Sequence, residues 1–126
     1  MESKPVPTIE QIFAGMRKNL GAVPTAVEQL GRVSPDMVYE HMRSRAYAMP
    51  DQTPALDEET RTLIYMAAAL AGSSPACVQA MADKARVQGI AREKIIETIK
   101  IVRFAMATRI IGDAEPIFAA MEKSAT

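Results

Sequence analysis

Cys77 is the one cysteine among 126 residues, and it falls in the run Gly72-Ser73-Ser74-Pro75-Ala76-Cys77-Val78-Gln79-Ala80-Met81. Ser74 followed by Pro75 is a helix-start signal, with serine as N-cap and proline in the first turn. Cys77 then lies at the third helical position. Unpaired backbone N–H groups and the positive end of the helix dipole favour a thiolate there over the ordinary thiol of pKa about 8.5. The residue therefore reads either as a reactive thiol or as a small buried hydrophobe, which is how most free cysteines behave. Disulfide chemistry also needs a partner sulfur or a proton acceptor, and neither is close in sequence.

The other chemistry-bearing side chains have plainer readings. Met81, one turn after Cys77, would complete a pair of soft ligands for Cu(I), but nine methionines spread along apolar faces favour core packing. Zinc lacks a four-ligand set, so no metal or other cofactor is expected. His41, the lone histidine, sits among charges in Tyr39-Glu40-His41-Met42-Arg43 and reads as a surface residue, of catalytic interest only if it folds against Cys77. Tyr65, just after Thr62, offers a hydrogen bond to a ligand or to the core. Lys100, Arg103 and Arg109 punctuate an apolar segment as its solvated face, with Glu97 or a bound carboxylate as possible partners.

The elements that must position these groups are all helical. Thr8-Ile9-Glu10-Gln11 has the form of a capping box, and Gly21 ends the helix it opens. Pro24 suits the first position of a second helix to about Val33, and Ser34-Pro35-Asp36 opens a third to about Ala48. Met49-Pro50-Asp51-Gln52-Thr53-Pro54 is a breaker cluster that sets an N-terminal helical arm, residues 1–50, apart from the main body. Asp57 caps a helix running to Leu70 or Ala71 before Gly72. The Cys77 helix runs to Gly89, and a long helix spans about Arg92 to Ile111. Glu115 to Lys123 closes the chain.

In the long helix, Ile95, Ile99, Val102, Met106 and Ile110 step by three or four, and Ile96, Ile101 and Ala105 widen the apolar surface beyond one stripe. Such breadth in a small protein predicts burial against another subunit. No strand-like alternation competes. The fold class is all-α, an antiparallel helix hairpin at the centre of a bundle.

Composition narrows the function classes. A chain of this length fits one domain, 1–126, burying roughly two-thirds of its unfolded surface. Fifteen basic and fifteen acidic side chains give zero net charge with no long block of either sign, which argues against nucleic acid and anionic membranes as partners. A single cysteine, and an N-terminus without the regions of a secretory leader, point to the cytoplasm. The longest apolar stretch, Leu63 to Gly72, is about half the roughly twenty residues of a membrane span.

Leu56-Asp57-Glu58-Glu59-Thr60-Arg61-Thr62-Leu63-Ile64, then Ser74-x-x-Cys77-x-x-x-Met81-x-x-x-Ala85-x-x-x-Gly89, then Arg92-Glu93-Lys94-Ile95-Ile96-Glu97 together resemble the carboxymuconolactone decarboxylase and alkyl hydroperoxidase D (AhpD) superfamily. The resemblance covers Leu56 to about Ile111. It implies an AhpD-like helical bundle, a homo-oligomer of three or six subunits, and a pocket near the start of the Cys77 helix. It also marks departures. Thr62 stands where peroxidase members place a proton-transferring glutamate, Ser74 replaces the other cysteine of the Cys-x-x-Cys pair, and Met81 replaces the histidine.

Those departures dismantle the family chemistry. A serine hydroxyl cannot resolve a sulfenic acid into a disulfide, and Met81 has no proton to exchange. The expectation is a divergent member with a degenerate site, whether or not it is an enzyme. It would bind a small apolar or weakly acidic molecule among Thr62, Tyr65, Ser74, Cys77 and Met81. One alternative is a single-cysteine thiol peroxidase using Cys77 with an external reductant, a peroxiredoxin-type activity. Another is a non-catalytic oligomeric interaction module.

Overall fold

The computed structural model describes residues 5–125, so residues 1–4, read above for a leader, lie outside it. Among the described residues there are seven helices and no strand: α1 Ile9–Leu20, α2 Thr25–Val33, α3 Pro35–Ala48, α4 Glu58–Ala71, α5 Pro75–Gln88, α6 Arg92–Asp113 and α7 Glu115–Ala125. No helix among them is long and apolar enough to cross a membrane.

The helix ends follow local chemistry. Thr8 Oγ1 accepts from the Gln11 N–H at 3.1 Å and Gln11 Oε1 accepts from the Thr8 N–H at 2.8 Å, so both halves of the capping box form. Asp57 Oδ1 accepts from the Thr60 N–H at 2.7 Å and caps α4. That bond holds the Asp57 carboxyl below its ordinary pKa. Gly21 and Gly89 end α1 and α5 in the left-handed region, at φ of 85° and 66°, which glycine enters without a Cβ clash. After Gly89 the Ile90 N–H returns to the Ala85 carbonyl at 3.0 Å. Pro24 takes the N-cap rather than the first helical position, because its ψ of 136° is still extended.

Consecutive α4 and α5 form the most extensive pairing, an antiparallel hairpin turned by residues 72–74, and α6 packs back on α4. Lys94 Nζ meets Glu59 Oε1 at 3.1 Å across that second contact. Met66, Met81 and Ala85 are the buried centre, with Leu20, Tyr65, Leu70, Ala80, Ile90 and Ile95 around them.

The arm lies against this hairpin. α1 packs on α5 and α2 on α3. Gly31 admits the Phe13 ring so closely that a Cβ there would stand 2.8 Å from Phe13 Cζ. Tyr39 donates to the Pro7 carbonyl at 2.8 Å, and the breaker segment is tied to α4 where Arg61 donates to the Pro50 carbonyl at 2.8 Å.

α6 is the outlier. It is 22 residues long and none of them is buried; Ile101, Phe104, Ile110 and Ile111 are all more than 60% exposed, and Ile117, Phe118 and Met121 continue the apolar surface on α7. Arg109 pairs with Asp113 at 3.5 Å in solvent rather than with Glu97.

Candidate functional site

One ridge of α5 carries its chemistry. Cys77, Met81, Lys84 and Gln88 recur at intervals of four, three and four, which on a helix aligns them on one face. Thr62, Tyr65, Met66 and Ala69 form the opposing face of α4. Contact between the two ridges sorts the candidate residues into three groups along the hairpin.

At the turn end, Tyr65 Oη lies 3.6 Å from Cys77 Sγ. The phenol donates to a thiolate, or the thiol to the phenol oxygen. Ser74 occupies the N-cap of α5 but makes no side-chain capping bond, leaving its hydroxyl for the sulfur. Hydrogen bonding from Ser74, and after it from Tyr65, holds the Cys77 thiol below its ordinary pKa against a smaller opposing effect of burial. The Tyr65 phenol is pushed upward by the same bond, then by burial and the thiolate charge. Cys77 is half-buried and unpaired. Ser73, in the turn leading to the site, holds a left-handed φ of 54°, a conformation strained for a residue with a side chain.

In the middle, Met81 is 6% exposed and belongs to the core. It packs against Met66 where the resemblance places an exchangeable histidine. At the far end, Thr62 is 1% exposed. Its hydroxyl points at the Glu58 carbonyl at 3.0 Å and at Gln88 Oε1 at 2.9 Å, and Gln88 Nε2 donates to Glu58 Oε2 at 3.0 Å. Thr62 is therefore engaged with Gln88, eleven residues along α5 from Cys77, a separation of about 16 Å at 1.5 Å per residue.

Tyr65, Ser74 and Cys77 thus come together, while Thr62 and Met81 are held elsewhere on the same seam. His41 is exposed on α3, a helix that packs chiefly on α2, while the side-chain hydrogen bond of Cys77 goes to Tyr65. Among the described residues no three His, Cys, Asp or Glu side chains gather as a metal cluster would require.

A cleft of about 430 Å³ opens between α4, α5 and α6, lined by Met66, Leu70, Val78, Ala82, Ala85, Arg86, Gly89, Ile90, Ile95 and Ile99. Its α5 residues lie on the ridge one position round from Cys77 and Met81, which is why none of Thr62, Tyr65, Ser74, Cys77 or Met81 lines it. The sequence signal for it was the small-residue spacing Ala85 and Gly89, which leaves room beside α5.

A comparison with sequence families bears on this architecture: the model of the carboxymuconolactone decarboxylase family matches residues 38–117. The chain belongs to the carboxymuconolactone decarboxylase family. The match runs from within α3 to the first turn of α7, so it includes the breaker segment and extends past both ends of the resemblance read from Leu56 to Ile111. α1 and α2 lie outside it. No curated protein matches the sequence.

Proposed function

We propose that this carboxymuconolactone decarboxylase family member is a homo-oligomer that binds a small apolar or weakly acidic molecule in the cleft between α4, α5 and α6. The observation that carries this reading is the cleft itself. Its volume of about 430 Å³ falls in the range of small-molecule sites, and its lining is aliphatic except for Arg86, which supplies a cation for an acidic head. Subunit association is supported by the exposed α6 and α7 side chains, since a contiguous apolar surface of that extent is costly to leave in water.

Neutral straight-chain alcohols test the reading because they match the lining without adding charge. Thermal stability should rise with chain length from butanol to octanol at submillimolar concentration. Occupancy at ten times Kd contributes about 1.4 kcal/mol, or roughly 4 °C. Equal melting temperatures across the series would contradict it.

Cys77 supports a second reading, a single-cysteine thiol peroxidase, because its half-buried sulfur has hydroxyl donors that favour the thiolate. The thiolate would attack a hydroperoxide, releasing the alcohol after protonation and leaving a sulfenic acid. One external thiol would condense with it, releasing water, and a second would free Cys77 and leave as the external disulfide. Ser74→Ala removes the largest influence favouring the thiolate, so the thiol pKa rises. Peroxide consumption with dithiothreitol should then slow at neutral pH and its pH–rate midpoint move upward. Wild type and Cys77→Ser consuming peroxide equally slowly would end this reading.

A further inference from the structure

Lys84 is the buried group that neither reading uses. It lies on the Cys77 ridge of α5 with 7% of its surface exposed, yet its ammonium makes no hydrogen bond in the structure and has no carboxylate within 4 Å. A lysine this enclosed normally has a partner, and here the ammonium keeps access to solvent, since among the described residues no buried side-chain nitrogen or oxygen lacks a hydrogen-bond partner. Beside it Thr62 bonds the Glu58 carbonyl and Gln88 Oε1, and Gln88 Nε2 donates to Glu58 Oε2.

The same ammonium faces a cavity of about 230 Å³ where the arm meets the hairpin, lined by Asn19 of α1, Arg45 of α3, Asp51 of the breaker segment, Glu58 of α4, and Lys84, Val87 and Gln88 of α5. Arg45 likewise has no ion pair. Around Lys84 the charges that act on it are Glu58 and Asp51 on one side and Arg45 and Arg61 on the other. In the lining itself two cations, Arg45 and Lys84, stand with two carboxylates, Asp51 and Glu58.

We propose that this cavity binds a small monocarboxylate, whose two oxygens accept from Lys84 Nζ and from the Arg45 guanidinium. A monocarboxylate places one negative charge between the two cations, whereas a phosphate dianion would place two beside Asp51 and Glu58. The planar carboxylate also matches the fork of an arginine. Asn19 and Arg45 come from the arm and Lys84 and Gln88 from the hairpin, so an occupant clasps the two together. The site is separate from the apolar cleft, which lies on the neighbouring ridge of α5 and shares none of its lining residues.

The test is titration of the full chain with sodium propionate, sodium phosphate and sodium chloride at matched ionic strength, followed by amide chemical shifts. Propionate should bind saturably, and more tightly than phosphate. Lys84→Met and Arg45→Gln should each weaken it at least tenfold. Should Lys84→Met fail to fold, the half-buried Arg45 position carries the same test. The proposal is overturned if propionate does no more than chloride, if phosphate binds more tightly, or if the variants that fold bind propionate like the wild type.

Discussion

Replacing Ile101 and Phe104 together by lysine is expected to reduce the proposed homo-oligomer to a single chain of 13.7 kDa. The two side chains are three apart on one face of α6 and are 63% and 74% exposed in the isolated chain. Each would contribute roughly 1.5–3 kcal/mol on burial against a second subunit. Since 1.4 kcal/mol is a factor of ten in an association constant, losing both weakens association by about two to four orders of magnitude per chain. Two lysines placed in the contact add the cost of burying charge. Light scattering should give a multiple of 13.7 kDa for the wild type and the single-chain mass for the variant. A monomeric wild type, or an assembly indifferent to both lysines, would contradict the assignment of α6. Within the chain these side chains bury little, so the fold of the variant should survive.

Met81→Ala should act on the opposite quantity. Met81 is buried against Met66 and Ala85 at the centre of a small cluster, and truncating a core methionine costs about 2–5 kcal/mol through lost transfer energy and the cavity left behind. Native stability is only about 5–15 kcal/mol, so denaturant midpoints should fall sharply while the slope of unfolding stays close to that of the wild type. A loss under about 1 kcal/mol would mean that the seam between α4 and α5 relaxes freely around position 81. The Cys77 thiol should keep its reactivity in the native state, since Tyr65 and Ser74 hold the sulfur from the turn side.

The helices were legible because their ends carry chemistry that acts over three or four residues. Thr8 with Gln11, Asp57 with Thr60, and the stops at Gly21 and Gly89 all operate within one turn, and each appears where its spacing placed it. Pro24 slipped by one position because a proline with extended ψ serves as a cap as readily as it opens the first turn. The apolar breadth of α6 was legible for the same local reason, a periodicity too wide for one stripe.

The site was legible only in part, because it depends on which ridge of α5 meets which ridge of α4. Tyr65, Ser74 and Cys77 converge at the turn, where chain connectivity restricts the geometry. Thr62 is three residues from Tyr65 in sequence, yet it bonds Gln88 at the far end of the hairpin, a pairing that only the antiparallel register decides. Lys84 carries no sequence signal of burial. Its burial arises from α1, α3 and the breaker segment closing over it, an arrangement no local pattern records. His41 stayed exposed because α3 gives its packing face to α2.

The family fold thus sets Cys77 against Tyr65 at the turn of the hairpin, beside an aliphatic cleft that the Cys77 ridge does not line. The most direct measurement on that account is calorimetric titration of octanol into the wild type and into Ala82→Trp. Ala82 is exposed and lines the cleft, so an indole there fills the space without disturbing the core. The account predicts saturable binding to the wild type and at least a tenfold loss in the variant. Absence of binding to the wild type, or equal affinity in both proteins, would contradict it.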